Sequence, residues 1–390
     1  MPYPTLTGRQ AGAPSTAQIE FQSTIERISR LPGEGHEETW IAPGFVDIQV
    51  NGFAGVDYND PTITNEAFAG SIRRLFQTGV TRFFPTVVTG GPEHMAGALR
   101  RLAEAKREFC RCGMPEGDAI AGFHVEGPNI SVEEGPRGAH PLKQVRPPDW
   151  DEFQRWQDAA GGEVRLVTVS PEYDDAPRYI SAVARTGVVV AIGHTRANTE
   201  QLGAAVDAGA TMSTHLGNGA HTLLHKTSNY IWEQLADDRL TASFIVDGIH
   251  LPPVFVFCAI RVKGAHRSVL VTDAVTPAMC PPGAYMSGES LVDLLPGNRV
   301  VLHSDKNRLA GSALAMDRAV ANCVRWGGVS LQTALEMATV NPARAVRIPG
   351  RQQGLAAGEA ADLVRFHWDE SSHALTVLET VVAGKTAYKA

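Results

Sequence analysis

With 390 residues, 35 Lys+Arg against 42 Asp+Glu and a formal net charge of −7, the chain has the balance of an ordinary soluble globular protein. Its 43% apolar content argues against disorder, and its mild acidity gives no electrostatic reason to expect a nucleic-acid partner. No apolar run approaches the ~20 residues that cross a bilayer, and Met1-Pro-Tyr-Pro-Thr has no basic region followed by an apolar stretch. Neither a membrane span nor a secretory signal is expected.

Residues 1–40 hold a β-like stretch at 17–28 with no helix after it. From there short runs rich in Val, Ile and Phe alternate with segments of helical spacing. The runs lie at 44–50, 81–88, 119–125, 164–169, 188–192, 211–214, 242–246 and 268–271. Several are apolar on both faces, as buried parallel strands are. Phe68, Ile72, Leu75 and Phe76 line one helical face before Gly79, and Met95, Leu99, Leu102 and Ala105 repeat it in the next gap. Leu202, Ala205 and Val206 do so between the fifth and sixth runs, with Asn198 or Thr199 as the N-terminal cap. A hairpin-like insertion at 290–305 follows the eighth run, then helices around 313–326 and 331–339. Eight β-then-α units predict a (β/α)8 barrel rather than an open doubly wound sheet. The last segment alternates as strands through Leu363, Val364 and Phe366, then Leu375, Val377, Val381 and Val382. We expect residues 1–42 and 355–390 to form a small, sandwich-like β domain beside a barrel of residues 43–354.

Barrel enzymes place their chemistry where the strands end. Read at those positions, the sequence supplies Asp47, Gln49 and Asn51 after strand one, and His124-Val125-Glu126 at strand three. His194 ends strand five, His215 strand six, Asp247 to His250 strand seven and Asp273 strand eight. Each alone has a plain structural reading, since a strand-end histidine is commonly a loop residue and an aspartate there often caps the next helix. Independent capping does not predict that Glu126, His194, His215, His250 and Asp273 all arrive at one pole. Imidazole and carboxylate together suit Zn²⁺ or a similar divalent ion. The five cysteines (Cys110, Cys112, Cys258, Cys280 and Cys323) are odd in number and scattered, and read as unpaired thiols of a reducing cytoplasm.

The segments P-G-F-V-D-I-Q-V-N-G (43–52), H-V-E-G-P (124–128), G-H-T (193–195), T-H-L-G-N (214–218), D-G-I-H (247–250), V-T-D-A (271–274) and L-A-G-S-A-L (309–314) together resemble the amidohydrolase superfamily. Within it they resemble the N-acetylglucosamine-6-phosphate deacetylase family, of single-metal type. That resemblance implies one divalent metal per subunit, zinc or alternatively Fe²⁺, held by Glu126, His194 and His215. It implies Asp273 as general base and acid in hydrolysis of an acetamide on an amino sugar, and a homodimer, with residues 220–232 as a candidate interface. His250 and His140 are implied at the substrate, as are backbone groups of Asn218 and Gly219. Gln49 and Asn51 occupy the positions of an H-x-H pair found in many superfamily members. Amides are poor zinc ligands, so these read as vestiges of a second metal position. His124, two residues before Glu126 and so on the same strand face, is placed behind the ligands, with direct ligation as the alternative. The family's phosphate-binding arginine is missing from the stretch between Asn218 and Tyr230, leaving Lys226, His221 and His225 for an anion. An unphosphorylated amino sugar is the alternative substrate, and hydrolysis of a different amide or a non-catalytic barrel are the alternative functions.

Overall fold

The computed structural model describes residues 3–13, 15–31 and 39–390. Eight parallel strands follow one another in sheet order, each bonded to its sequence neighbour. They are β1 (Phe45–Val50), β2 (Val80–Val88), β3 (Phe123–Glu126), β4 (Val164–Val169), β5 (Val189–Ile192), β6 (Ala210–Ser213), β7 (Thr241–Ile245) and β8 (Ser268–Val271). Seven are within about a residue of the sequence reading at both ends, because their apolar runs are bounded by polar or glycine residues. The exception is the third: Pro115 opens a short helix, Pro115–Ala119, that takes up its first residue, and Ile120 makes only an isolated bridge to Phe83.

The ring closes differently from the way it is built. Between β8 and β1 the ladder reduces to a single bridge, Val50 to Ala274, and the carboxyl of Asp47 fills the gap. Asp47 lies 2.5 Å from the Thr272 hydroxyl and accepts from the backbone N–H groups of Thr272 and Gln49, each at 3.3 Å. A side chain substitutes for a stretch of backbone ladder, which keeps buried backbone polar groups partnered.

Helices cover the barrel as their caps and apolar faces dictate. Thr64 accepts from Ala67 N–H to start helix Asn65–Phe76, which buries Phe68, Ile72, Leu75 and Phe76. Asn198, not Thr199, caps Thr199–Asp207, in a reciprocal capping box with Gln201. The late helices run Met316–Gly327 and Leu331–Ala338.

Two further sheet regions, one mostly antiparallel and one wholly so, flank the barrel. The N-terminal stretch read as one strand turns back on itself, giving Thr16–Phe21 and Ile25–Arg30, with Thr5–Gln10 and Thr39–Pro43 beside them. These join Leu363–Asp369, Ala374–Val382 and Lys385–Lys389 in one seven-stranded sheet, in which Leu363–Asp369 pairs antiparallel with Thr39–Pro43. Residues 32–38 of that expected domain lie outside the described residues. Buried Asp362 ties the sheet to the barrel, 2.6 Å from Arg82 on β2 and 2.7 Å from Arg351. The insertion after β8 is larger than a hairpin: four strands, Gly283–Ser287, Ser290–Leu295, Arg299–Leu302 and Asp305–Leu309. Among the described residues no helix is long and apolar enough to cross a membrane.

Candidate active site

The carboxyl ends of β3, β5 and β6 deliver Glu126, His194 and His215 to one point. Glu126 Oε1 lies 3.1 Å from His194 Nε2 and 2.7 Å from His215 Nε2, and the two ring nitrogens are 3.1 Å apart. His140, from the loop after β3, brings its Nε2 to 3.3 Å from His194 Nε2 while its Nδ1 meets the Thr89 hydroxyl at 2.8 Å. Glu126, His140 and His194 have the mutual spacing of a metal-holding group, so the histidine assigned to substrate stands inside the cluster.

The chemistry of this donor set fits a divalent cation. His194 Nδ1 is 2.8 Å from the Pro136 carbonyl, which only accepts, so Nδ1 carries the proton and Nε2 of the neutral ring presents a lone pair. Glu126 Oε1, His194 Nε2 and His215 Nε2, 2.7–3.1 Å apart, lie a little inside the ~3.3 Å edges of a tetrahedron around a zinc-like ion. Left to themselves, lone pairs at this separation repel. Burial opposes ionisation of Glu126, yet the flanking His194 and His215 hold its carboxyl well below the usual range, so it presents an anionic oxygen to the cluster.

Backbone strain accompanies the convergence. His194, His215 and Asp273 all take left-handed φ, at 49°, 29° and 50°, a conformation that costs non-glycine residues about 1–3 kcal/mol and gathers at functional sites. Gly219 explains itself here: its φ is +55°, and a Cβ on it would sit 2.6 Å from His194 Nδ1.

Across the mouth, Asp273 Oδ1 accepts from Asn51 Nδ2 at 2.6 Å and from Gln49 Nε2 at 3.2 Å. The two amides therefore face the carboxylate. Burial first, then the nearby Glu126 charge, raises Asp273 to about 6. His124 turns away from the cluster, its Nε2 2.8 Å from the Thr168 hydroxyl, and burial lowers it to about 4. His250 is fixed by Asp247, whose carboxylate meets its Nδ1 at 2.7 Å and accepts from its backbone N–H at 2.8 Å, leaving Nε2 free.

Glu126, His140, His194, His215, Asn218, Gly219, His250 and Asp273 line one cavity of about 520 Å³. Lys226 is exposed and does not line it. Of the other two candidates for an anion, His221 is engaged by Glu133 and Tyr230, and His225 is exposed. Tyr230 is buried in this chain, so of the two aromatics in the expected interface only Trp232 is half-exposed. The sequence reading missed Thr89, the holding role of Asp247, and Arg308, which lines the cavity from the insertion. The last had a signal: Arg308 directly precedes the L-A-G-S-A-L segment.

Residues 40–387 match the Amidohydrolase family. The chain belongs to that family. This amidohydrolase is 31% identical over 374 residues to the N-acetylglucosamine-6-phosphate deacetylase of Lysinibacillus sphaericus, covering 95% of this chain and 90% of the relative. It is 32% identical to the N-acetylgalactosamine-6-phosphate deacetylase of a Shewanella strain, covering 90% and 84%. Among solved structures it matches a mutant N-acetyl-D-glucosamine-6-phosphate deacetylase from Mycobacterium smegmatis in complex with N-acetyl-D-glucosamine-6-phosphate, at 30% identity and a TM-score of 0.87 over the whole of both chains.

Proposed function

We propose that this amidohydrolase hydrolyses the acetamide of N-acetylglucosamine 6-phosphate, or of a closely related amino sugar, to acetate and the free amine. The observation that carries the reading is the cavity itself, which gathers the Glu126–His194–His215 cluster, Asp273 and His250 in one space. The relatives' activities support it. In this reading Glu126, His194 and His215 hold one divalent cation, with zinc favoured by the mixed imidazole and carboxylate donors. When bound, such an ion supplies Lewis acidity that acidifies water and polarises a carbonyl.

The chain's own residues do the rest. Asn51 and Gln49 occupy Asp273 Oδ1, leaving Oδ2 to take a proton from the attacking water. As the C–N bond breaks, the same oxygen returns that proton to the departing nitrogen, so one carboxyl serves as base and then acid. His250, locked by Asp247, binds the sugar, with Asn218 and Gly219 beside it. His140 stands next to the ligands, where it meets the acetamide. His124 positions β3 from behind.

We also place the protein in the cytoplasm, which its five free cysteines favour. A homodimer is supported by Leu223, 89% exposed, and half-exposed Trp232 on the stretch after β6. Acetate release from a panel of phosphorylated and plain N-acetylhexosamines by metal-replete protein tests the function, with metal content measured on the same sample. Turnover with near one metal per chain is expected. Metal without turnover of any acetylated sugar overturns it.

A further inference from the structure

Apart from Glu126 and Asp273, the described residues lining the cavity carry three carboxylates, Glu134, Glu289 and Asp305, and only one lysine or arginine, Arg308. Arg308 lies on the last strand of the insertion, Asp305–Leu309, and reaches across to the loop after β3. Its Nη2 pairs with Glu134, its Nη1 is 3.5 Å from the Gly138 carbonyl and its Nε is 3.4 Å from Asp305. Gly138 borders the metal-side cluster, since a Cβ on it would lie 3.3 Å from His194 Cε1.

We infer that Arg308 receives the anionic end of the substrate, a phosphate monoester on the sugar, from within the same chain. This rests on the deacetylase reading above. Two observations and one chemical preference carry it. Arg308 is the cavity's one permanent cation, whereas Lys226 stands outside. Its closest partner is easily exchanged: the Glu134 carboxylate is 77% exposed, an ion pair to so exposed a group holds weakly, and Asp305 lies farther off, at 3.4 Å from Nε. A phosphate offers the guanidinium fork two oxygens and more charge than a carboxylate. Glu289 does not compete, being held by Gly91 N–H, Gln144 and Lys143.

The test compares wild type, Arg308→Met, Arg308→Lys and Glu134→Gln in metal-loaded protein. Acetate release is followed from N-acetylglucosamine and from its 6-phosphate, and glucosamine 6-phosphate binding is measured by calorimetry. Arg308→Met is expected to raise KM for the phosphorylated sugar at least ~10-fold, with kcat little changed and calorimetric affinity falling in step. The plain sugar, which offers no anion, loses less than about threefold. Arg308→Lys falls between, keeping the charge without the fork, and Glu134→Gln lowers KM for the phosphorylated sugar by removing its competitor. An unchanged KM and affinity in Arg308→Met, or equal losses on both sugars, overturns the assignment. If wild type binds glucosamine 6-phosphate through Arg308 yet releases no acetate, the deacetylase reading fails and the anion site stands. If acetate is released with no dependence on Arg308, the reverse holds.

Discussion

At one half of the barrel mouth, β3, β5 and β6 aim Glu126, His194 and His215 at one another, with their acceptor atoms 2.7–3.1 Å apart. At the other half, β1 and β8 set Gln49 and Asn51 as donors against Asp273 as acceptor. The second arrangement is satisfied by its own hydrogen bonds. The first gathers imidazole nitrogens around a carboxylate, the donor set that suits a divalent cation. The same barrel end thus holds a half whose donor set suits a cation and a half held together by amide–carboxylate bonding. Substitutions in the two halves should fail in different ways.

The largest effect is expected from Glu126→Gln. It removes the charge that balances the cation, and metal content should fall well below one per chain, together with the several kcal/mol of stabilisation that the cation contributes to the transition state. Asp273→Asn comes next. Turnover should fall by ~10²–10⁴, while metal content stays at the wild-type level, because the amide keeps the shape and Oδ1 still accepts from Asn51. If Asp273→Asn lost its metal, the two halves would not be separable.

Asn51→Ala is a smaller version of the same test. Removing the 2.6 Å donor frees Asp273 to rotate, and kcat should fall about tenfold, with metal retained and KM little altered. Acidity sharpens the picture further. Asp273 must be ionised to accept a proton, so kcat/KM should decline as pH falls through about 6. The bound cation would move that limb lower, and Asp273→Asn should abolish it.

How much of this was legible in the sequence differs between the two halves for a physical reason. Glu126, His194 and His215 were readable because each ends an apolar run, and metal chemistry restricts residue type strongly. Gln49 and Asn51 were visible only as absences of histidine. That they bind Asp273 depends on β1 meeting β8, a contact 222 residues apart in sequence for Asn51 and Asp273. Arg308 stood beside a readable segment, but its reach across to the loop after β3 was hidden for the same reason, since an insertion's spacing does not say which loop it folds across. The terminal sheet was foreseeable as strands from alternation at Leu363, Val364 and Phe366, but not its order, because pairing across more than 300 residues leaves no local periodicity.

The smallest prediction concerns the seam that lets the amide half exist. Asp47 is fully buried between β1 and β8. Burial raises it from 3.8 to about 7, against the opposing pull of its bonds to Thr272 and Gln49. With the folded value above the unfolded one, the folded chain holds a proton that the unfolded chain has released between about pH 4 and 7. Stability contributed here is therefore full below about pH 4, falls as pH rises through that window, and is flat above it. The shift corresponds to at most about 4 kcal/mol. Asp47→Asn carries no such proton, so its urea midpoint should gain on that of wild type as pH rises from 4 to 8. Parallel curves would mean that Asp47 is ionised throughout and that the seam is held by a charge.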